Sequence, residues 1–318
     1  RKIPKRKLFC TFRLLIFGTY RIINCMRLIL SLSTCNESYD KTAFLQTELI
    51  SEMFRLSVFA GIFVCLSSTA IAGNVPVLDG RIVGGETTTI EEFPYQVSIR
   101  NRGSHSCGGS IINERVILTA AHCLEEVLAK DIEVAVGSTL KSQEGQVIPV
   151  HKIIKHEHWN SQTVENDIAL LILSKNLKYG DSVQPIGLPV FGETIKDRTR
   201  LFISGWGMTS EHESEGPDVL HYAVVEIVNH IKCVKAYRKA GAFVTTKMLC
   251  AGTSDGDKDT CQQDSGGPLS SKNNKIIGIA SWGMGCGRKG YPGIYTRVAA
   301  YRHWIDRKME IGLKEINQ

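Results

Sequence analysis

No C-x-x-C pair occurs among the ten cysteines of this 318-residue chain, so zinc-ribbon spacing and a dithiol redox motif are both absent. No apolar run reaches the ~20 residues that a membrane-spanning helix needs. The stretch 8–32 is broken by Arg13, Arg21 and Arg27, and the run 56–66 is short. There is no internal repeat and no low-complexity tract, so nothing points to a repeat architecture. The later part of the chain also lacks net charge: residues 1–81 hold 11 Lys+Arg and 5 Asp+Glu, whereas residues 82–318 hold 27 of each sign. The overall charge of +6 therefore belongs to the N-terminal part. The remainder offers no basic surface to nucleic acid, and neither nucleic acid nor a membrane is an expected partner.

What is present points outward from the cell. Cys107, Cys123, Cys233, Cys250, Cys261 and Cys286 form an even set in the later part, which argues for disulfides and hence an oxidising compartment. From Met53 the chain reads Arg55, an apolar run, then Ala70-Ile71-Ala72 before Gly73. That order of basic, apolar and small residues predicts a secretory signal over 53–72, cut after Ala72, and a secreted product. Residues 1–52 are expected to be an upstream translated or unstructured segment. Residues 73–81 form a short remainder ending at Arg81.

From Ile82 the pattern is largely β. Tyr95, Val97 and Ile99 alternate, as do Ile132, Val134 and Val136, while 167–173 and 275–283 are apolar runs suited to buried strands. Many short strands between Gly, Pro, Asn and Asp turns predict sandwiches or barrels. One helix is expected at the C-terminus, with Val298, Tyr301, Trp304 and Ile305 on one face.

The candidate chemistry is nucleophilic. "CQQDSGGP" (261–268) sets Ser265 among small residues. A serine hydroxyl is a weak nucleophile that needs a neighbouring base, and a histidine base needs an acid to orient it. His122 in "LTAAHC" and Asp167 in "NDIALL" are candidates for these parts. Two metal patterns in the sequence are incomplete. "SDGDKDT" places Asp255, Asp257 and Asp259 on alternate positions, but Thr260 and Gly266 stand where a calcium loop needs Gly and Glu. His156 and His158 around Glu157 lack further clustered ligands and read as a surface loop.

The motifs "RIVGG" (81–85), "LTAAHC" (118–123), "NDIALL" (166–171), "GWG" (205–207), "DSGGP" (264–268), "SWG" (281–283) and "PGIYTRV" (292–298) follow one another in order. Together they resemble secreted trypsin-like serine proteases, similar to arthropod digestive trypsins, from about Arg81 to the end. The resemblance implies an all-β fold of two antiparallel six-stranded β-barrels with a C-terminal α-helix, as a peptidase domain over 82–318. It implies His122, Asp167 and Ser265 as catalytic residues, with peptide-bond hydrolysis through an acyl-enzyme and neither metal nor organic cofactor. Asp259 would form the floor of the primary pocket, with Gly283 and Gly293 on its walls, and select substrates with Arg or Lys at the cleaved bond.

The same resemblance makes 73–81 an activation propeptide: cleavage between Arg81 and Ile82 would free an ammonium to pair with Asp264. It pairs Cys107–Cys123, Cys233–Cys250 and Cys261–Cys286, one choice among the roughly 15 that six cysteines allow. Leu201 and Ser271 stand where many vertebrate trypsins carry a further disulfide. Ser138 departs from the calcium-loop pattern of many trypsins, so no metal is expected. Partners would be protein substrates and protein protease inhibitors, and the enzyme would be a monomer. Gln263 is the sharpest departure. The oxyanion hole would use the N–H groups of Gln263 and Ser265, and the first of these positions favours glycine. The alternative reading is therefore a catalytically impaired homologue that acts by binding.

Overall fold

The computed structural model describes residues 82–316 except Glu144 and Glu211. The expected signal over 53–72, the segment 73–81 with Arg81, and residues 1–52 lie outside the described residues. The strands, in chain order, are β1 (Glu86–Thr87), β2 (Gln96–Asn101), β3 (Ser104–Asn113), β4 (Val116–Thr119), β5 (Ile132–Val136), β6 (Gln146–Lys155) and β7 (Ala169–Leu173). They continue with β8 (Arg200–Gly205), β9 (His221–Val228), β10 (Met248–Gly252), β11 (Pro268–Ser271), β12 (Lys275–Trp282) and β13 (Gly293–Arg297). The two α-helices among the described residues are α1 (His230–Lys239) and α2 (Arg302–Ile316).

Strands β2-β3-β4-β7-β6-β5 close into a six-stranded antiparallel barrel. Strands β9-β10-β13-β12-β11-β8 form a second, closed by the β8–β9 pairing, with β1 added on the outer edge of β9. Closure removes the unpaired edges that open sheets expose. The expected two-barrel fold is observed.

The alternating residues behave as anticipated. Val97, Ile99 and Val134 are wholly buried in the first barrel, and β7 is buried throughout. The other face of β2 is not solvated, however: Gln96, Ser98 and Arg100 are buried as well. At Gln96, and at Tyr95 just before the strand, β2 meets the second barrel. Ser204 Oγ of β8 donates to Gln96 Oε1 (2.7 Å), and Tyr95 OH donates to Ser270 Oγ of β11 (2.8 Å). Polar groups buried with partners in this way fix how the barrels meet at little net cost.

The C-terminal helix starts later than its periodicity suggested. Val298 belongs to a single 3-10 turn, Val298–Ala300, and the α-helix begins at Arg302. All four residues of the expected face are nonetheless buried, because helix α2 crosses from the end of β13 to pack on the first barrel. Burying a side chain such as Ile305 contributes roughly 1.5–3 kcal/mol. Helix α1 was not anticipated. Asn229 caps it, accepting from Lys232 N–H at 3.2 Å. All three expected disulfides are formed, Cys107–Cys123, Cys233–Cys250 and Cys261–Cys286. The register that pairs Ser270 with Phe202 brings Ser271 alongside Leu201, where no cross-link exists.

Candidate active site

His122 lies in a 3-10 turn, His122–Leu124, that follows β4 through the fully buried Ala120 and Ala121. Asp167 stands just before β7, and Asn166, before it, has a left-handed φ of 57°. An L-residue holds that conformation only under constraint. Here the Asn166 amide donates to His158 O (2.7 Å) and accepts from Lys247 Nζ (2.9 Å) and Tyr301 OH (3.2 Å).

So placed, the Asp167 carboxylate is 1% exposed and meets His122 twice. Oδ1 accepts from the main-chain N–H at 2.9 Å, and Oδ2 lies 2.8 Å from Nδ1. A carboxylate only accepts, so the imidazole proton sits on Nδ1 and leaves Nε2 free to take another. Burial disfavours the imidazolium, but the hydrogen bond and charge of Asp167, with the charge of Glu125, outweigh it and hold the His122 pKa above the ordinary histidine value. Ser281 Oγ supplies a further donor to Oδ2 at 2.5 Å, and Thr296 Oγ1 donates to the Asp167 carbonyl at 2.7 Å. Ser281 opens the SWG motif and Thr296 lies within PGIYTRV, although neither was assigned a role from the sequence.

The segment carrying Ser265 abuts the histidine turn. Gly108 N–H of β3 donates to Ser265 O at 2.8 Å. Cys123 Sγ, bonded to Cys107, touches the same carbonyl at 3.5 Å and His122 Nε2 at 3.8 Å. Those two sulfurs beside His122 are a disulfide and cannot act as thiolate ligands for a metal. Ser265 Oγ makes no hydrogen bond among the described residues, an arrangement common in sites without substrate, where such contacts tighten on binding.

Ser265 also lines a cavity of about 270 Å³ together with Asp259, Ser281, Gly283 and Gly293. Asp259 is 3% exposed and accepts from Thr260 N–H (2.9 Å) and Gly287 N–H (3.0 Å). Burial, only partly offset by these donors, pushes its pKa up to about 7. Gly293 must be glycine here, since a Cβ would lie 2.5 Å from Asp259 Oδ1. The neighbouring acids point elsewhere: Asp257 accepts from Thr253, and Asp255 pairs with Lys289 at the surface. In the other candidate loop, Glu157 pairs with Lys308 and accepts from Trp304 Nε1 (2.8 Å), so it docks helix α2.

Asp264 is buried against Gly205 and Gly207. It accepts from Gly207 N–H (2.9 Å) and Cys261 N–H (3.1 Å), and a Cβ on Gly207 would fall 2.3 Å from its Cγ. Burial pushes its pKa up to about 7 against those two donors, and the charge of Asp259 adds to the rise. Ile82 is wholly buried among the core residues of the second barrel.

Gln263 has φ 73° and its Oε1 is buried without a partner. His105 Nε2–H donates to its carbonyl (3.2 Å) while Nδ1 accepts from Ser98 Oγ (2.8 Å). Burial first, then the charge of Lys141, push the His105 pKa down to about 4, so this bracing imidazole is neutral at ordinary pH.

Two closed antiparallel six-stranded barrels with this arrangement define a protein of the chymotrypsin-like fold. A family model described as Trypsin matches residues 82–305. The chain belongs to the trypsin family and is a serine endopeptidase acting on protein substrates. The vitellin-degrading protease of Bombyx mori is 42% identical over 258 residues, covering 80% of this chain and 96% of that protein. Trypsin alpha of Drosophila melanogaster is 41% identical over 254 residues (80% and 97%), and trypsin 5G1 of Aedes aegypti 40% identical over 259 (79% and 96%).

Proposed function

We propose that this protein is a secreted, monomeric endopeptidase of digestive type that cleaves after Arg or Lys and is made as a zymogen opened between Arg81 and Ile82. The observation that carries the specificity is Asp259, an acid held at a cost in a cavity that also contains Ser265. A guanidinium or ammonium entering that cavity restores the ionised carboxylate, and a low-dielectric setting makes the attraction strong. Ser265 Oγ attacks the scissile carbonyl while His122 Nε2 takes its proton, Asp167 steadies the imidazolium, and the N–H groups of Gln263 and Ser265 receive the oxyanion. His122 then returns the proton to the leaving amine, and water releases the acyl group by the reverse sequence.

Zymogen control is supported by Asp264, a buried acid whose two donors are both neutral N–H groups. The ammonium freed at Ile82 would pair with it and order the 261–265 segment. Secretion is supported by the three disulfides and by the signal-like stretch 53–72. No helix among the described residues is long and apolar enough to cross a membrane.

The test is kinetic. Material cleaved after Arg81 is expected to hydrolyse Arg and Lys amides at least 10²-fold faster than Phe amides, and Asp259→Ser to abolish that ratio. An unchanged ratio in the variant would defeat the specificity reading. A second reading, a homologue that only binds, draws on the backbone strain at Gln263, because a lost oxyanion donor costs roughly 10²–10³ in turnover. A serine-directed phosphonate separates the two: labelling of Ser265 supports the enzyme, and none at millimolar reagent supports the binder.

A further inference from the structure

A second cavity, of about 690 Å³, opens beside the site and shares no lining residue with the acidic pocket. The two meet across the turn 261–264, where Gln262 lines one and Gln263 the other. Under the proposed endopeptidase reading, on which this inference rests, a substrate places its basic side chain over Asp259 and its scissile carbonyl over the Gln263 N–H. The residues that follow the cleaved bond are then directed into this second cavity.

Its charges are unequal in their commitments. Arg100, only 7% exposed, lines the cavity and uses Nη2 to donate to Lys141 O at 2.9 Å. No carboxylate lies within ion-pair distance of it among the described residues, and Glu133, its register partner in β5, forms no ion pair with it. Two acids, Asp218 and Glu215, line the cavity as well, each held by another group. Asp218 accepts from Ser142 N–H and Oγ–H, both at 2.7 Å, and the largely exposed Glu215 lies 3.6 Å from Lys141 Nζ. A guanidinium carries five donors in a planar fork, and burying its charge without an anion is costly. Burial lowers the His105 pKa most, and the charges of Lys141 and Arg100 at the cavity wall add to the fall.

We propose that this cavity is a subsite for an acidic side chain on the leaving-group side of the cleaved bond, with Arg100 as the residue that selects it. An Asp or Glu there supplies the ion-pair partner that Arg100 lacks among the described residues, and a Lys or Arg meets like charge. The chain's own junction is a poor match: Ile82, Val83, Gly84 and Gly85 follow Arg81, with no acid before Glu86. Self-activation is accordingly slow, and a peptide copy of the junction gains from Asp in place of one of Ile82, Val83 and Gly84.

Internally quenched peptides with a single Arg, carrying Asp, Ala or Lys in turn at the first, second and third positions after it, test the proposal. At one of those positions Asp is expected to exceed Lys by about tenfold in kcat/KM, equivalent to about 1.4 kcal/mol. Arg100→Gln should bring that ratio below about twofold, while Arg100→Lys, which keeps the charge, should retain most of it. Equal cleavage of the Asp and Lys peptides by the unaltered enzyme overturns the inference, as does an unchanged ratio in Arg100→Gln. Because the unaltered enzyme alone can refute it, the test does not depend on either variant folding. An Arg p-nitroanilide, which presents no residue beyond the amide, separates the two levels. No cleavage of it defeats the endopeptidase reading itself, whereas cleavage without an acidic preference defeats only the subsite.

Discussion

Replacing Gln263 by glycine is expected to stabilise the protein by about 1–2 kcal/mol, an unusual sign for a substitution beside a nucleophile. Gln263 is the third residue of a tight turn closed by Asp264 N–H on Cys261 O at 3.1 Å, and its φ of 73° is the kind that turn position demands. Holding an L-residue there costs about 1–2 kcal/mol. Its Oε1 is also buried without a donor, a loss of about 1–3 kcal/mol. Against this, glycine gives up roughly 0.5–1 kcal/mol in chain entropy, and the buried part of the side chain loses its packing. The balance corresponds to a Tm higher by about 3–6 °C for a domain of this size. Calorimetry and urea unfolding in a Ser265→Ala background, which prevents self-digestion, would measure it. A Gln263→Gly variant no more stable than its parent refutes the strain argument. Turnover should change by less than about tenfold, because the turn already holds the 262–263 peptide as a glycine would. A gain of 10²–10³ would mean that Gln263 turns the oxyanion donor away.

Two further outcomes follow from ionisation. The pH profile of kcat should rise through a single ionisation above the ordinary histidine value, since Asp167 and Glu125 outweigh the burial of His122 and the base must be neutral to work; kcat is the proper readout because a bound cation removes Asp259 from the titration, and a midpoint below the ordinary value contradicts the assignment. In uncut Ser265→Ala protein, Asp264 keeps its proton up to about pH 7 while the unfolded chain releases it near 3.8, so between these values the native state binds more protons and stability falls as pH rises. Urea midpoints should therefore drop from pH 4.5 to 7.5 relative to an Asp264→Asn counterpart, and cleavage after Arg81 should remove most of that difference; parallel slopes before cleavage would argue against a buried, uncompensated acid.

The barrels were legible because their strands carry their own period. Val97, Ile99, Val134 and the run 169–173 declare burial one residue at a time, and the closed sheets follow from where such runs pack. Alternation says which residues share a face, but not what covers that face. Gln96, Ser98 and Arg100 share the other face of β2 and are buried too, covered by Ser204, His105 and Lys141 in turn. Helix α1 escaped notice for a related reason: only Cys233 and Tyr237 on it are buried, one turn apart, too narrow a stripe to stand out among lysines. The capping Asn229 was the available signal. Of the candidate site, His122, Asp167, Ser265 and Asp259 were found through motifs. Ser281 lay in a motif but had no role there, and His105 and Arg100 were missed because each reaches a residue far along the chain, while Ser98 acts through His105.

Asp259 and Asp264 lie five residues apart on one segment, and their placement links activation to recognition. Both are buried. Burial raises both to about 7, and the charge of Asp259 adds to the rise at Asp264. Under the proposed activation, the ammonium of Ile82 neutralises the Asp264 carboxylate and lifts the repulsion between the two acids, which makes ionisation of Asp259 easier. A cation in the primary pocket should in turn favour the ordered, inserted N-terminus, because coupling between two sites is reciprocal. In the proposed scheme, the acid that would select the substrate and the acid that would accept the new terminus act as one electrostatic unit, and the turn that joins them carries the strained Gln263.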